Sequence, residues 1–165
     1  MKAMDLADYI IMKANELNKP VSNLMLQKVM YFLNADYLIH SGKSLIEDEK
    51  FERWDYGPVL RTVYFEYSSN HASPIKSYMK HINIHRDNNN NIVDIDVSEG
   101  LDTNSLNEEE KEFINNHINE FLIFNPFDLV NESHKETQWK ELPNNGEYSN
   151  EETLKYYRGN RFWQN

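Results

Sequence analysis

The chain has 165 residues, 39% of them hydrophobic and 13% aromatic, with no cysteine and a formal net charge of −10. This size and composition suit one globular domain over residues 1–165, and the missing thiols exclude disulfides and thiolate zinc sites. No apolar run is long enough to span a bilayer, so a cytoplasmic protein without a membrane partner is expected, and the acidity, with Lys and Arg scattered, disfavours nucleic-acid binding.

Leu6, Ile10, Ala14 and Leu17 recur at helical spacing and predict a first helix over residues 4–17, stopped by Asn18-Lys19-Pro20. Ser22 can cap a second helix over residues 23–40, with Leu26, Val29, Met30, Leu33 and Tyr37 on its inner face. Leu24, Tyr31 and Leu38 widen that face, so this helix is expected to be central and buried over much of its girth. Gly42 supplies a left-handed stop.

After the acidic turn Glu47-Asp48-Glu49, the bulky residues among 51–56 predict one short strand with a bend or bulge. Gly57-Pro58 reads as punctuation, with Pro58 in the first turn of a third helix carrying Val59, Leu60, Val63, Tyr64 and Tyr67. Residues 74–81 predict a short helix or an irregular connection. Ile82 and Ile84, then Val93, Ile95 and Val97, alternate with polar residues around Asn88-Asn89-Asn90-Asn91, which predicts a β-hairpin.

Ser105 and Asn107 each head a capping box for a long helix to about residue 124, carrying Phe113, Ile114, His117, Ile118, Phe121 and Leu122. Asn125-Pro126 restarts a shorter helix through Phe127, Leu129 and Val130. Ser149 caps a last helix with Leu154 and Tyr157, and Phe162 and Trp163 of the tail are expected to dock. The fold class is mainly α (α+β): a single globular helical domain with a small β-hairpin.

Catalytic chemistry finds little to use. His81 and His85 have a metal-ligand spacing for a helix, but Ile82 and Ile84 place them on a strand. Asp48-Glu49-Lys50 fits the acid-x-Lys pattern of metal nucleases without a second acid or a basic surface, and reads as a solvated turn. There is no nucleophile elbow and no phosphate loop. Asp94 and Asp96 share a strand side by alternation alone. His134 and Trp139 read as a packed pair, the histidine buried and donating to a backbone carbonyl. No catalytic residue, cofactor or metal site is assigned, and no enzyme is expected.

Three segments do form a pattern. Leu26-Gln27-Lys28-Val29-Met30-Tyr31-Phe32 is followed by Trp54 with Tyr56-Gly57-Pro58-Val59 and Val63-Tyr64, and then by Leu129-Val130 with Ser133-His134-Lys135-Glu136 and Trp139. Together they resemble the Panacea domain, the antitoxin domain of SocA-like and phage-associated GepA-like proteins; Gln138 stands where that family commonly has Pro.

The resemblance covers about residues 6–157 and implies a mostly helical, non-enzymatic domain. It implies neutralisation, by direct binding, of a protein toxin encoded in the adjacent gene, with SocA-like members also presenting the toxin to the ClpXP protease. Carried over residue by residue, Gln27, Lys28, Tyr31, Trp54, Tyr56, Gly57, Pro58, Val59, Tyr64, His134 and Trp139 become family-motif positions, expected to serve mainly as scaffold. Partner contacts are expected instead from residues 74–102 and from the acidic stretches 47–55 and 108–112. The rival reading is a phage or prophage counter-defence protein whose acidic surface imitates DNA towards a host protein. The oligomeric state stays open.

Overall fold

Helix α2 (Asn23–Ser41) sits at the centre because its sequence leaves almost no polar face. Ser22 Oγ accepts from the Met25 N–H at one end, and Gly42, at φ 73°, closes the other. Fifteen of its nineteen residues are buried, the polar Gln27, Lys28, Asn34 and Asp36 among them, so neighbours pack on every side. The computed structural model describes residues 1–77, 80–87, 89–99 and 106–164 of the chain.

Helix α1 (Ala3–Glu16) lies against α2 through the fully buried Leu6, Ile10 and Ala14. Leu17, predicted on the same stripe, is the C-cap instead and stands 44% exposed, because the helix ends one residue short of it. On another side pack α4 (Glu108–Leu122) and α7 (Asn150–Tyr157). The tail docks as expected: Trp163, in a 3-10 turn at Phe162–Gln164, closes on Phe32, Phe121 and Tyr157, with ring centroids 5.4–6.0 Å apart.

Helix α4 starts in the second of the two capping registers, Asn107 Oδ1 accepting from the Glu110 N–H at 2.8 Å. Ser105, head of the first, lies outside the described residues. Asn125 Oδ1 then accepts from the Phe127 N–H, and Pro126 opens α5 (Pro126–Lys135). A five-residue helix α6 (Thr137–Glu141), not predicted, carries Gln138 and Trp139.

The region around Gly57 corrects the sequence reading. Strands β1 (Glu52–Trp54) and β2 (Gly57–Val59) pair antiparallel, with Glu52 opposite Val59 and Trp54 opposite Gly57. Gly57-Pro58-Val59 is therefore a return strand, and α3 (Arg61–Glu66) begins only after it. Gly57 has φ 93°, a left-handed conformation that suits glycine where the tight turn enters β2. Pro58 fits opposite Arg53 because both Arg53 backbone groups face the other way, bonding to Gly146 O and Asn145 N at 2.8 Å each.

Strands β3 (Lys80–Arg86) and β4 (Ile92–Glu99) form the expected second hairpin, pairing Ile82 with Val97 and Ile84 with Ile95, with Asn90 at φ 67° in its turn. Residues 74–77 carry no helix; Ile75 is buried and its N–H bonds Val21 O at 2.8 Å. Among the described residues no helix is long and apolar enough to cross a membrane.

Candidate functional site

The motif segments, distant in sequence, converge beside α2. Lys28 is fully buried, and its Nζ donates to the Pro58 carbonyl at 2.7 Å. Burial pushes its pKa well below the ordinary 10.5. One residue earlier, Gln27 Oε1 accepts from the Leu60 N–H at 2.8 Å. Consecutive side chains of α2 thus hold the backbone on either side of Val59. Gly57 completes the fit: a Cβ there would collide with Ser133 Oγ and come within 2.7 Å of Lys28 Nζ. Only glycine allows β2 to lie this close to α2 and α5.

One turn along α2, Tyr31 donates its hydroxyl to the fully buried Glu136. The second Glu136 oxygen accepts from Gln138 Nε2 at 2.9 Å, which also reaches Thr153 Oγ1 at 2.9 Å. Gln138 Oε1 in turn accepts from the Ser149 N–H at the start of α7. Burial raises the Glu136 pKa, and the hydrogen bonds from Tyr31 and Gln138 oppose that rise. Gln138, the departure from the family pattern, therefore fastens α6 to α7 through hydrogen bonds that a proline could not make.

The third part is aromatic. His134 stacks on Trp139 with centroids 3.6 Å apart and planes 15° from parallel. Trp139 Nε1 donates to Trp54 O at 3.0 Å, and the Arg53 guanidinium lies 4.7 Å from the Trp139 ring. His134 hydrogen-bonds the Asp55 backbone as expected but is half-buried; burial and the nearby Lys28 lower its pKa. Trp54 packs on Tyr64 at 4.9 Å, while Tyr56 is 60% exposed and, among the described rings, meets Phe127 edge-on.

This arrangement is a clasp. Lys28, Ser133 and Glu136 are sealed from solvent, and each spends its polar atoms on a backbone or side-chain partner inside the fold. The acid-x-Lys stretch is likewise used locally. Asp48 Oδ1 accepts from Ala3 N, Glu49 Oε1 accepts from the Thr62 N–H in the first turn of α3, and Lys50 pairs with Glu147 at 3.0 Å. His81 and His85 fall on β3 and Asp94 and Asp96 on β4, as expected; the side chains of His81, His85 and Asp96 lie outside the described residues.

Two features lie outside the motif. A groove of about 470 Å³ is lined by Glu47, Asp48, Glu49, Glu52 and Glu147, together with Tyr31. A second, of about 330 Å³, brings Glu47 beside Glu109 and Glu110. Glu47 lines both grooves, so the two acidic stretches meet beside it, with Lys50 in the first groove and Lys43 in the second. The other feature went unread in the sequence: Asp36 of α2 meets His117 and Glu120 of α4, His117 Nδ1 lying 2.9 Å from Asp36 Oδ2 and 3.5 Å from Glu120 Oε1. The i, i+3 spacing of His117 and Glu120 was a visible signal, but the third member comes from another helix.

The model of the family described as antitoxin SocA-like, Panacea domain, matches residues 26–140, the span that contains all three motif segments. The antitoxin SocA of Caulobacter vibrioides is 40% identical over 68 residues, 41% of this chain and 36% of that protein. The matched region thus spans about a third of that relative's length. No solved structure gives a significant match.

Proposed function

The chain belongs to the antitoxin SocA-like, Panacea domain family, and on that premise we propose that it neutralises a cognate protein toxin by direct, stoichiometric binding. The observation that carries the reading is a division of labour. Gln27, Lys28, Tyr31, Gly57 and Trp139 of the motif are consumed in an internal clasp, whereas acidic residues of two distant stretches meet around Glu47. The toxin docks there, with the β3–β4 hairpin as a second contact. A net charge of −10 draws a basic partner in and accelerates encounter. Binding alone masks the toxin, so no catalytic group is required.

Delivery to ClpXP, which the resemblance implies for SocA-like members, extends the same proposal: the toxin bound to this chain is handed to the protease. Toxin half-life in cells with and without the protease separates delivery from simple masking.

The test is expression of the gene adjacent to this one, alone and with this protein. Growth arrest relieved by co-expression supports the reading, and arrest that persists at equal toxin levels contradicts it.

A further inference from the structure

We propose that Asp36, His117 and Glu120 form a binding site for one divalent transition-metal ion of zinc type, clamping α2 to α4. This goes beyond toxin binding and does not depend on it.

The Asp36 side chain is 4% exposed, and its Oδ2 has no hydrogen-bond partner among the described residues. His117 Nδ1 and Glu120 Oε2 are also buried atoms without a hydrogen-bond partner among the described residues, although their side chains are 27% and 34% exposed. The 2.9 Å between Asp36 and His117 is therefore close approach without hydrogen-bond alignment. Buried polar atoms left this way are costly. One ligand atom from each residue falls within 4.8 Å of the others. With metal–ligand bonds of about 2.1 Å, His117 Nδ1 would subtend about 87° with Asp36 Oδ2, 2.9 Å away, and about 113° with Glu120 Oε1, 3.5 Å away, angles that a four- to six-coordinate zinc-type ion accepts.

One imidazole with two carboxylates selects a zinc-like ion over calcium or magnesium, which prefer oxygen alone. Phe113 stacks on His117 at 4.3 Å and fixes the ring plane. Glu120 keeps a third of its side chain exposed, so an ion and its remaining waters can enter from that side. The competing account is a plain histidine–carboxylate ion pair.

Titration of the chelator-stripped full chain with Zn²⁺ separates the two, read by calorimetry and melting temperature, with Co²⁺ absorption reporting the nitrogen ligand. The expected result is one ion per chain, a raised melting temperature and no response to Mg²⁺ or Ca²⁺. His117→Ala and Asp36→Asn should each weaken binding at least about tenfold, while Glu112→Gln, on an exposed part of the same helix, changes nothing. Should Asp36→Asn fail to fold, Glu120→Gln at the more exposed position replaces it. Absence of Zn²⁺ binding, or binding unchanged in His117→Ala, overturns the site.

Discussion

Lys28 Nζ reaches the carbonyl of Pro58 at 2.7 Å across thirty residues of sequence, and no solvent touches the lysine. An amine in that position is held by the backbone of a two-stranded hairpin rather than by a counter-ion. The hairpin and α2 therefore depend on one another, and several consequences can be measured.

The first concerns pH. Because the folded state lowers the Lys28 pKa below its unfolded value of about 10.5, the unfolded chain binds more protons between the two values. Stability should then rise with pH across that window, with nothing gained below the folded pKa. Urea unfolding of the natural protein between about pH 7.5 and 9.5 should show the rise, and Lys28→Met should flatten it. Identical slopes in the two proteins would mean that Lys28 keeps its charge inside the fold.

Gly57 and Gly42 both have positive φ, yet they should respond differently to alanine. At Gly42 nothing lies within 4 Å of an added Cβ, so only the left-handed conformation is penalised, by about 1 kcal/mol. At Gly57 the Cβ also strikes Ser133 and Lys28, and Gly57→Ala should cost at least about 3 kcal/mol in denaturant unfolding. Equal losses would remove the close approach of β2 from the account.

Tyr31 and Tyr148 are both buried, but among the described residues only Tyr31 has a hydrogen-bond partner for its hydroxyl. Tyr31→Phe strips a donor from buried Glu136 and should cost about 1–3 kcal/mol. Tyr148→Phe removes an unpartnered hydroxyl and should be neutral or slightly stabilising. Thermal melts of the two variants check the contrast, and the opposite order would contradict the network.

Much of this fold was legible because its signals are local. Ser22, Gly42, Asn107 and Asn125 act within a few residues of themselves, and each sits at a helix end as read. The β1–β2 hairpin was not legible. Gly57-Pro58 reads equally well as a helix start, and the choice is made by Lys28, Ser133, Asn145 and Gly146, all remote in sequence. Helix α6 escaped because it is five residues long and no side chain caps it. For the site the pattern was the reverse. The motif named its residues through resemblance, while the network linking Tyr31, Glu136 and Gln138 appears only once α5, α6 and α7 are folded together.

The acidic face makes a kinetic prediction. Association with the toxin should slow as ionic strength rises, since screening shortens the reach of exposed charge. Glu47→Lys with Glu109→Lys, both exposed, should lower the on-rate by about tenfold at low salt while leaving the melting temperature nearly unchanged. Stopped-flow or surface-based kinetics at two salt concentrations reads this directly; an on-rate indifferent to salt and to both substitutions would move the docking surface elsewhere.

Co-purification of this protein with the product of its adjacent gene tests direct neutralisation most plainly. The complex should elute as one species of fixed stoichiometry, with toxin activity lost in proportion to the protein added and restored when the acidic face is reversed. Toxin activity that falls without any complex, or a toxin that stays active when saturated with this protein, would contradict neutralisation by binding.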